Sequence, residues 1–471
     1  MLPNGYSHDW IKEYPEVDRE YMETYPVSFR HIDVEPAFRK RNLHLYFHIP
    51  FCSVSCSFCT FLHFDRTNAS INAYVPILLK EIDLWFQRDL FRNYEVRSIF
   101  FGGGTATSIS AEQIGVVLDR IRGSIDMAAD AEITVEAHPN SVNKQYLSYL
   151  RTKGVNRMTF GIQSFNDRFL KIMEITQTSE RNREVLKLSK DLGFESVCMD
   201  LMFALPSETL KDLEGDLDAF DELDLSGISC YRYVIDPENK MLPDKQQWLL
   251  SIAPSEPEGN EMYAYLVDRL SAGGYTQYTQ PDFARPDKIC RYTTAVWKAP
   301  QEEQLGLGAG ALSYNINNYS LVNTHDLHEY AACLENDKLP ILLGTPITPD
   351  ELMRKYFVLG IKCLEVDTQK FEELFGLPYQ MLFHDEVRKL QRLEMIVDDQ
   401  GVLRLTAKGK IYVDYVCKQF YSYRNKGLFQ PDGYTFAQMS ITSGHNLSPV
   451  PHSQPVGLSQ LSYAGRQEEH V

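Results

Sequence analysis

His48-Ile49-Pro50-Phe51-Cys52-Ser53-Val54-Ser55-Cys56-Ser57-Phe58-Cys59 decides how the rest of the chain is read. Three thiols stand on one short loop, spaced C-x3-C-x2-C, directly after the apolar run 43–49. A tetrahedral zinc takes four ligands, and the nearest fourth donor is His63, four residues past the last cysteine. A cubane iron–sulfur cluster held by three thiolates instead leaves one iron open to a small molecule, which makes the metal a place for chemistry. Three unrelated buried thiols are the plain alternative, and the tight spacing argues against it.

Outward from this loop, short apolar runs alternate with amphipathic stretches. Residues 43–49, 96–101, 131–137, 157–162, 196–201 and 227–233 read as strands. Helical patterns fall at 69–88, 111–122, 144–152, 167–192 (in two pieces) and 208–220. A strand and a helix repeating at roughly 35 residues predict parallel strands joined by crossover helices. Six such units are two short of a closed eight-strand barrel. The fold class is therefore α/β, a partial (β/α)6 barrel of TIM type, open on one side.

Active sites of such sheets lie at the carboxyl ends of the strands, and polar signatures fall there in order. The cysteine loop follows the first strand and Gly102-Gly103-Gly104-Thr105 the second. Glu136-Ala137-His138-Pro139 ends the third, Gly161-Ile162-Gln163-Ser164 the fourth, and Asp200 begins the polar end of the fifth. Outside the barrel and its extension (43–344), residues 1–42 read as a wrapping arm broken by Tyr14-Pro15 and Tyr25-Pro26. Residues 345–425 hold helical patterns and a hairpin turn at Asp398-Asp399-Gln400-Gly401, which predicts a winged-helix-like α+β module. Residues 426–471 have the Ser, Gln, Pro and Gly content of a disordered tail.

Tyr46-x-His48-Ile-Pro-Phe-Cys52-x3-Cys56-x-Phe58-Cys59 resembles the cluster loop of radical S-adenosylmethionine (SAM) enzymes. More narrowly it resembles the oxygen-independent coproporphyrinogen III oxidase-like family, from about Tyr46 to about Tyr423. The resemblance implies a 4Fe–4S cluster on Cys52, Cys56 and Cys59, with SAM chelating the open iron. An electron from the cluster then cleaves SAM to methionine and a 5′-deoxyadenosyl radical. It further implies that Gly103, Gly104 and Thr105 meet the methionine end of SAM. Glu136 would bind the SAM on the cluster, and Tyr46 and Phe58 would pack against it. Gln163 and Asp200, with Gly104 and Thr105, match contacts to a second SAM, and Val234 and Leu312 match backbone contacts. An electron donor such as flavodoxin or ferredoxin is implied as partner.

Three departures from the family bear on function. Ala106 stands where proline is usual. Ile175 stands where the family carries an arginine paired with the second SAM, and an isoleucine cannot bind a carboxylate. Either Arg181, Arg183 or Arg232 takes that part, or the second molecule sits differently or is absent. Thr60-Phe61 after the last cluster cysteine lacks the cysteine of true coproporphyrinogen oxidases. The resulting expectation is a class C radical SAM methyltransferase acting on an sp2 carbon of an aromatic acceptor, menaquinone-like or polycyclic, with the second SAM as methyl source. The alternatives are coproporphyrinogen III dehydrogenation, anaerobic haem breakdown and a haem-binding chaperone without radical catalysis. The long leader before the cysteine motif weighs against the chaperone. His138, Tyr231 and Tyr233 are the candidate proton acceptors, each also explicable as a packing residue.

Composition bounds these readings. With 471 residues, 44% of them hydrophobic, the chain can bury a large core and divide into two domains. A net charge of −17 argues against nucleic acid or an anionic membrane as partner. Nine cysteines, six of them scattered, suit a reducing compartment rather than a disulfide framework. No basic-then-apolar leader and no apolar run of spanning length are visible, so a cytoplasmic location is expected.

Overall fold

Six parallel strands alternate between an apolar outer face and a polar inner one, and this sets where the site lies. In the computed structural model, which describes residues 41–422 apart from 54–55, 57–58, 60–61, 66, 235–242, 298–301 and 317–318, they are β1 (Arg41–Ile49), β2 (Tyr94–Gly103), β3 (Met127–Ala137), β4 (Arg157–Gln163), β5 (Ser196–Phe203) and β6 (Gly227–Arg232). They pair side by side in that order. Period-two alternation sends Leu43, Leu45, Phe47, Ile99, Phe101, Val135, Phe160, Met199 and Leu201 outward, each fully covered. Helices cover that face: α1 (Asn68–Phe86), α2 (Ala111–Ser124), α3 (Lys144–Thr152), α4 (Asp167–Ile172), α5 (Ser179–Asp191) and α6 (Leu210–Leu223). Their starts follow from capping: Thr67, Ser110 and Thr209 form capping boxes, while Asn143, Asn166 and Thr178 accept from first-turn N–H groups. The opposite face carries Tyr46, His48, Glu136, Arg157, Gln163, Asp200 and Tyr231. Parallel strands buried on both faces read as continuous apolar runs, so this alternation marks a hollow.

The six β/α units stand as the sequence predicts, and the helical stretch 167–192 does divide in two. The sheet, however, is larger than expected. Between β6 and the next parallel strand lie α7 (Pro243–Ser251), α8 (Glu256–Ala272), the short antiparallel strands β7 (Thr276–Gln277) and β8 (Asp282–Ala284), and α9 (Arg291–Trp297). A seventh parallel strand, β9 (Glu303–Leu307), then pairs with the free edge of β1. From it β10 (Leu312–Ile316), β11 (Tyr319–Asn323) and, past α10 (Leu327–Glu335), β12 (Ile341–Pro346) extend the sheet antiparallel. Among the described residues the order is β12-β11-β10-β9-β1-β2-β3-β4-β5-β6-β8-β7, an open sheet of 12 strands.

A second core follows. Helices α11 (Pro349–Lys362), α12 (Thr368–Phe375) and α13 (Gln380–Arg392) pack Phe357, Phe371, Phe383 and Leu390 together with Phe420. Strand β13 (Glu365–Asp367) joins the hairpin of β14 (Ile396–Asp399) and β15 (Val402–Leu405). Gln400 and Gly401 both have positive φ, 53° and 89°, as a two-residue hairpin turn requires. This is the helix-and-wing pattern expected of the region. The expected arm and tail lie outside the described residues, except that Arg41 and Asn42 open β1. No described helix is long and apolar enough to cross a membrane.

Candidate active site at the strand ends

The cysteine loop is tied down at both ends. Pro50 ends β1, Phe51–Cys52 pairs with Phe64–Asp65, and the Phe64 N–H donates to Pro50 O at 2.7 Å. Within the loop the Cys59 N–H donates to Cys56 O at 3.1 Å. Cys52 Sγ lies 3.4 Å from Thr105 Oγ1. Burial first, and then the charges of Cys59 and Cys52, push the Cys56 thiol up to about 12. Thiols that raise one another need a cation to ionise them, so this donor set fits a metal group. Among the described residues no three His, Cys, Asp or Glu side chains close around a single ion. A cubane requires no such closure, because each thiolate takes its own iron. Phe58 lies outside the described residues.

The glycine run does a different task at each position. Gly103 has φ +112°. A Cβ on Gly102 would stand 2.7 Å from Glu136 Oε2, and one on Gly104 would stand 3.0 Å from Phe51 N and 3.1 Å from Cys52 Sγ. The N–H groups of Gly104 and Thr105 donate to Ile49 O and Phe51 O, both at 3.0 Å. The close approach that the run predicts is thus first of all to the cysteine loop and to Glu136. Burial pushes the Glu136 carboxyl up to about 7, and the Gly103 N–H donating to it offsets part of that rise. Beside it His48 is pulled down to about 4 by burial and stays neutral at pH 7. Its Nε2 lies 3.2 Å from Leu62 O and must donate, so Nδ1 accepts from the Tyr46 hydroxyl at 3.1 Å.

The ends of β5 and β6 face the same hollow. Burial raises the Asp200 carboxyl well above its usual range, and the charges of Glu136 and Asp282 raise it further. Ser229 Oγ donates to Asp282 Oδ1 at 2.7 Å. Tyr231 is raised by burial and then by Asp200, Asp282 and Glu136. The structure therefore gathers Glu136, Asp200 and Tyr231, with Asp282 as a member that the sequence does not single out. Gln163 ends β4 with φ +69°, a non-glycine residue held in the left-handed region. His138 is used as a cap, its Nδ1 accepting from the Asn140 N–H at 3.1 Å. Tyr233 is buried in an apolar cluster with Phe169, Met173, Met202, Leu205 and Leu249. Val234 follows β6 and Leu312 opens β10, on opposite flanks of the six-strand unit.

Ile175 packs on that same apolar cluster. None of the three arginines named as substitutes is idle. Arg181 donates to Pro139 O and Val142 O, Arg183 pairs with Glu222, and Arg232 donates to Asn260 Oδ1 and Glu256 O. Toward the amino ends of the strands, α9 fills the hollow. Tyr292 stacks on Phe100 (centroids 4.6 Å apart) and on Tyr46 (6.1 Å), and its N–H donates to Glu132 Oε1 at 3.2 Å. Sequence reasoning misses this plug, because Tyr292 stands between Arg291 and Thr293, neither of which marks a buried position.

Comparison with known proteins agrees with this geometry. The profile of the radical SAM superfamily matches residues 46–220, and that of the HemN C-terminal domain matches residues 347–412. The heme chaperone HemW of Escherichia coli is 32% identical over 273 residues, covering 57% of this chain and 69% of that protein. The HemW of Lactococcus lactis is 29% identical over 368 residues, 77% of this chain and 93% of that protein. The oxygen-independent coproporphyrinogen III oxidase of Salmonella typhimurium is 26% identical over 408 residues, 83% and 88% respectively. In fold, the solved coproporphyrinogen III oxidase (HemN) of Escherichia coli superposes with a TM-score of 0.73 at 24% identity, over 90% of this chain and all of that one. A superfamily signature over the cysteine loop and barrel, a HemN-type C-terminal region and a one-third-identical HemW leave one conclusion: this chain belongs to the radical SAM superfamily, within the group that contains HemW and the HemN-type coproporphyrinogen oxidases.

Proposed function

We propose that this protein is a radical SAM enzyme whose substrate is a tetrapyrrole of the porphyrinogen class, oxidised at a side-chain carbon: one hydrogen atom goes to the 5′-deoxyadenosyl radical, and the substrate radical then releases carbon dioxide and passes its remaining electron to an external one-electron acceptor. The observation that carries the radical part is Glu136, an acid held beside the glycine run and the cysteine loop with its carboxyl pushed up to about 7 by burial. Such an acid costs stability unless a cation-bearing ligand meets it, and the sulfonium and ammonium of SAM supply that charge. When bound, the cluster on Cys52, Cys56 and Cys59 supplies the electron that cleaves SAM to methionine and the 5′-deoxyadenosyl radical. Glu136 would then orient SAM through its cationic groups, with Tyr46 closing the inner side and the Tyr292–Phe100 stack keeping water out from below.

The tetrapyrrole part rests on what the relatives are named for, haem and coproporphyrinogen. These fit the alternatives weighed from the sequence better than they fit methyl transfer to a menaquinone-like ring. Ile175, packed on the buried cluster of Phe169, Met173 and Tyr233, also offers no cation to the carboxylate of a second SAM. One SAM per chain is therefore part of the proposal.

The test is anaerobic: reconstituted protein with SAM and dithionite, offered coproporphyrinogen, haem or a naphthoquinone in turn. Methionine and 5′-deoxyadenosine with loss of carbon dioxide from the porphyrinogen support the proposal. S-adenosylhomocysteine beside a methylated acceptor overturns it in favour of methyl transfer. Haem bound stoichiometrically with no SAM cleavage overturns it in favour of a carrier, the role for which the HemW relatives are named. Replacing Cys52, Cys56 or Cys59 by Ala is expected to abolish SAM cleavage and most bound iron, while Cys198→Ala leaves both intact.

A further inference from the structure

Behind the turn that presses on the cysteine loop sits a fully buried acid that none of the site's chemistry uses. Glu81 lies in the middle of α1 with no exposed surface. Its Oε2 accepts from the Gly308 N–H at 2.8 Å and from the Tyr330 hydroxyl at 2.6 Å, and its Oε1 from Asn323 Nδ2 at 2.7 Å. Asn323 Nδ2 also donates to Gly308 O at 2.9 Å, so the turn is held through both its N–H and its carbonyl. A buried carboxylate served only by neutral donors is costly, and an apolar residue would fill the same space without that cost.

What Glu81 holds is the turn at Gly308-Ala309-Gly310, and this turn bears on both ends of the cysteine loop. Gly308 has φ +109°, and a Cβ there would lie 2.5 Å from His48 O and 2.6 Å from the Tyr74 hydroxyl. Gly310 has φ +72°, and a Cβ there would lie 2.4 Å from Leu62 Cδ2. His48 precedes the first cluster cysteine and Leu62 follows the last. Tyr74, seven residues before Glu81 and on the same face of α1, completes the bracket. Its hydroxyl donates to His48 O at 2.8 Å and accepts from the Ala309 N–H at 3.0 Å. Its ring meets Phe51 edge-on at 5.2 Å, directly beside Cys52.

We propose that Glu81 is a positioning residue: through the Gly308–Gly310 turn and Tyr74 it sets the placement of the cysteine loop against Glu136, and so how SAM engages the cluster. This rests on the radical SAM reading above and concerns residues of the sheet extension and of α1, outside the strand-end site. Glu81→Gln keeps the shape but replaces one acceptor oxygen by an NH2 that faces a donor. Tyr74→Phe keeps the ring and loses both bonds to the loop and the turn.

The experiment compares wild type with each variant after anaerobic reconstitution of the full chain. It reads iron content, the midpoint potential of the cluster by EPR titration, and KM and kcat for reductive SAM cleavage. Positioning predicts wild-type iron in both variants, a shifted potential, and a KM for SAM raised roughly tenfold while kcat changes far less. Variants that melt lower but match wild type in potential, KM and kcat overturn the proposal, since the network would then be structural only. Should Glu81→Gln fail to fold, Tyr74→Phe decides alone. A wild type that takes up no iron overturns the radical SAM reading and this inference together, whereas active wild type with unaltered variants overturns the inference alone.

Discussion

Glu136 shows at the level of one residue how stability and ligand binding oppose each other. Its carboxyl ionises near the ordinary 4.5 when unfolded and near 7 when folded. Stability from the neutral folded form is full below the lower value and is lost as pH rises through the upper one. At about 1.4 kcal/mol per unit this amounts to roughly 3 kcal/mol. Glu136→Gln is therefore expected to melt above wild type at pH 8 without SAM, the difference vanishing by pH 4, while SAM binds some tenfold to 150-fold more weakly. Calorimetry across pH and equilibrium dialysis check the two halves; a variant no more stable at pH 8, or one with wild-type affinity, refutes this account of the acid. That Glu136 and Asp200 stand together at the strand ends was legible in the sequence, because both are acids at the polar ends of otherwise apolar strands. Asp282 was not legible, since it faces Asp200 only through Ser229 on the neighbouring strand.

At the scale of elements, β1–β6 were readable because each alternates an apolar outer face with polar inner positions. Strand β9 hid itself: Glu303-Gln304-Leu305-Gly306-Leu307 opens on two buried polar residues. Glu303 is held there by Arg41 of β1 and by Tyr94 of β2, and Gln304 donates to Leu312 O at 2.9 Å. No local pattern encodes such partners. Helix α9 hid for another reason. Its sequence, Arg-Tyr-Thr-Thr-Ala-Val-Trp, is rich in β-branched and aromatic residues that lose rotamer freedom in a helix, so tertiary packing through Tyr292 makes it helical. Tyr292→Ala is accordingly expected to lower the unfolding free energy by about 2 kcal/mol, less than the cost of emptying a fully buried aromatic site because Tyr292 is half-buried. Urea denaturation measures this, and a loss near zero means that the stack contributes only shape.

For the molecule as a whole, the second core meets the sheet through Lys355 of α11, whose ammonium lies 2.9 Å from the centroid of the Tyr314 ring on β10. Burial alone pulls this amine well below its ordinary 10.5. The folded state prefers it neutral, so its contribution is full above 10.5 and is lost as pH falls through the folded value. A cation–π contact returns up to about 2 kcal/mol, less than the several kcal/mol of burying an ammonium. Lys355→Met should therefore unfold at higher denaturant at pH 7, with the advantage shrinking by pH 10; a less stable variant at pH 7 means that the ring contact wins. The place of β1 in the sheet has a consequence of a different kind. The strand that carries the cysteines is flanked on one side by β2 and on the other by β9, and its Arg41 meets Glu303 across 262 residues. At about 5–20 residues per second of synthesis, β1 waits tens of seconds on the ribosome for its second neighbour. A chain ended after residue 297 would hold every cluster cysteine yet is expected to retain no iron, measured by metal analysis after anaerobic reconstitution. On that outcome metal loading would follow translation of the barrel, with three thiols to be kept reduced until the far side of the sheet arrives.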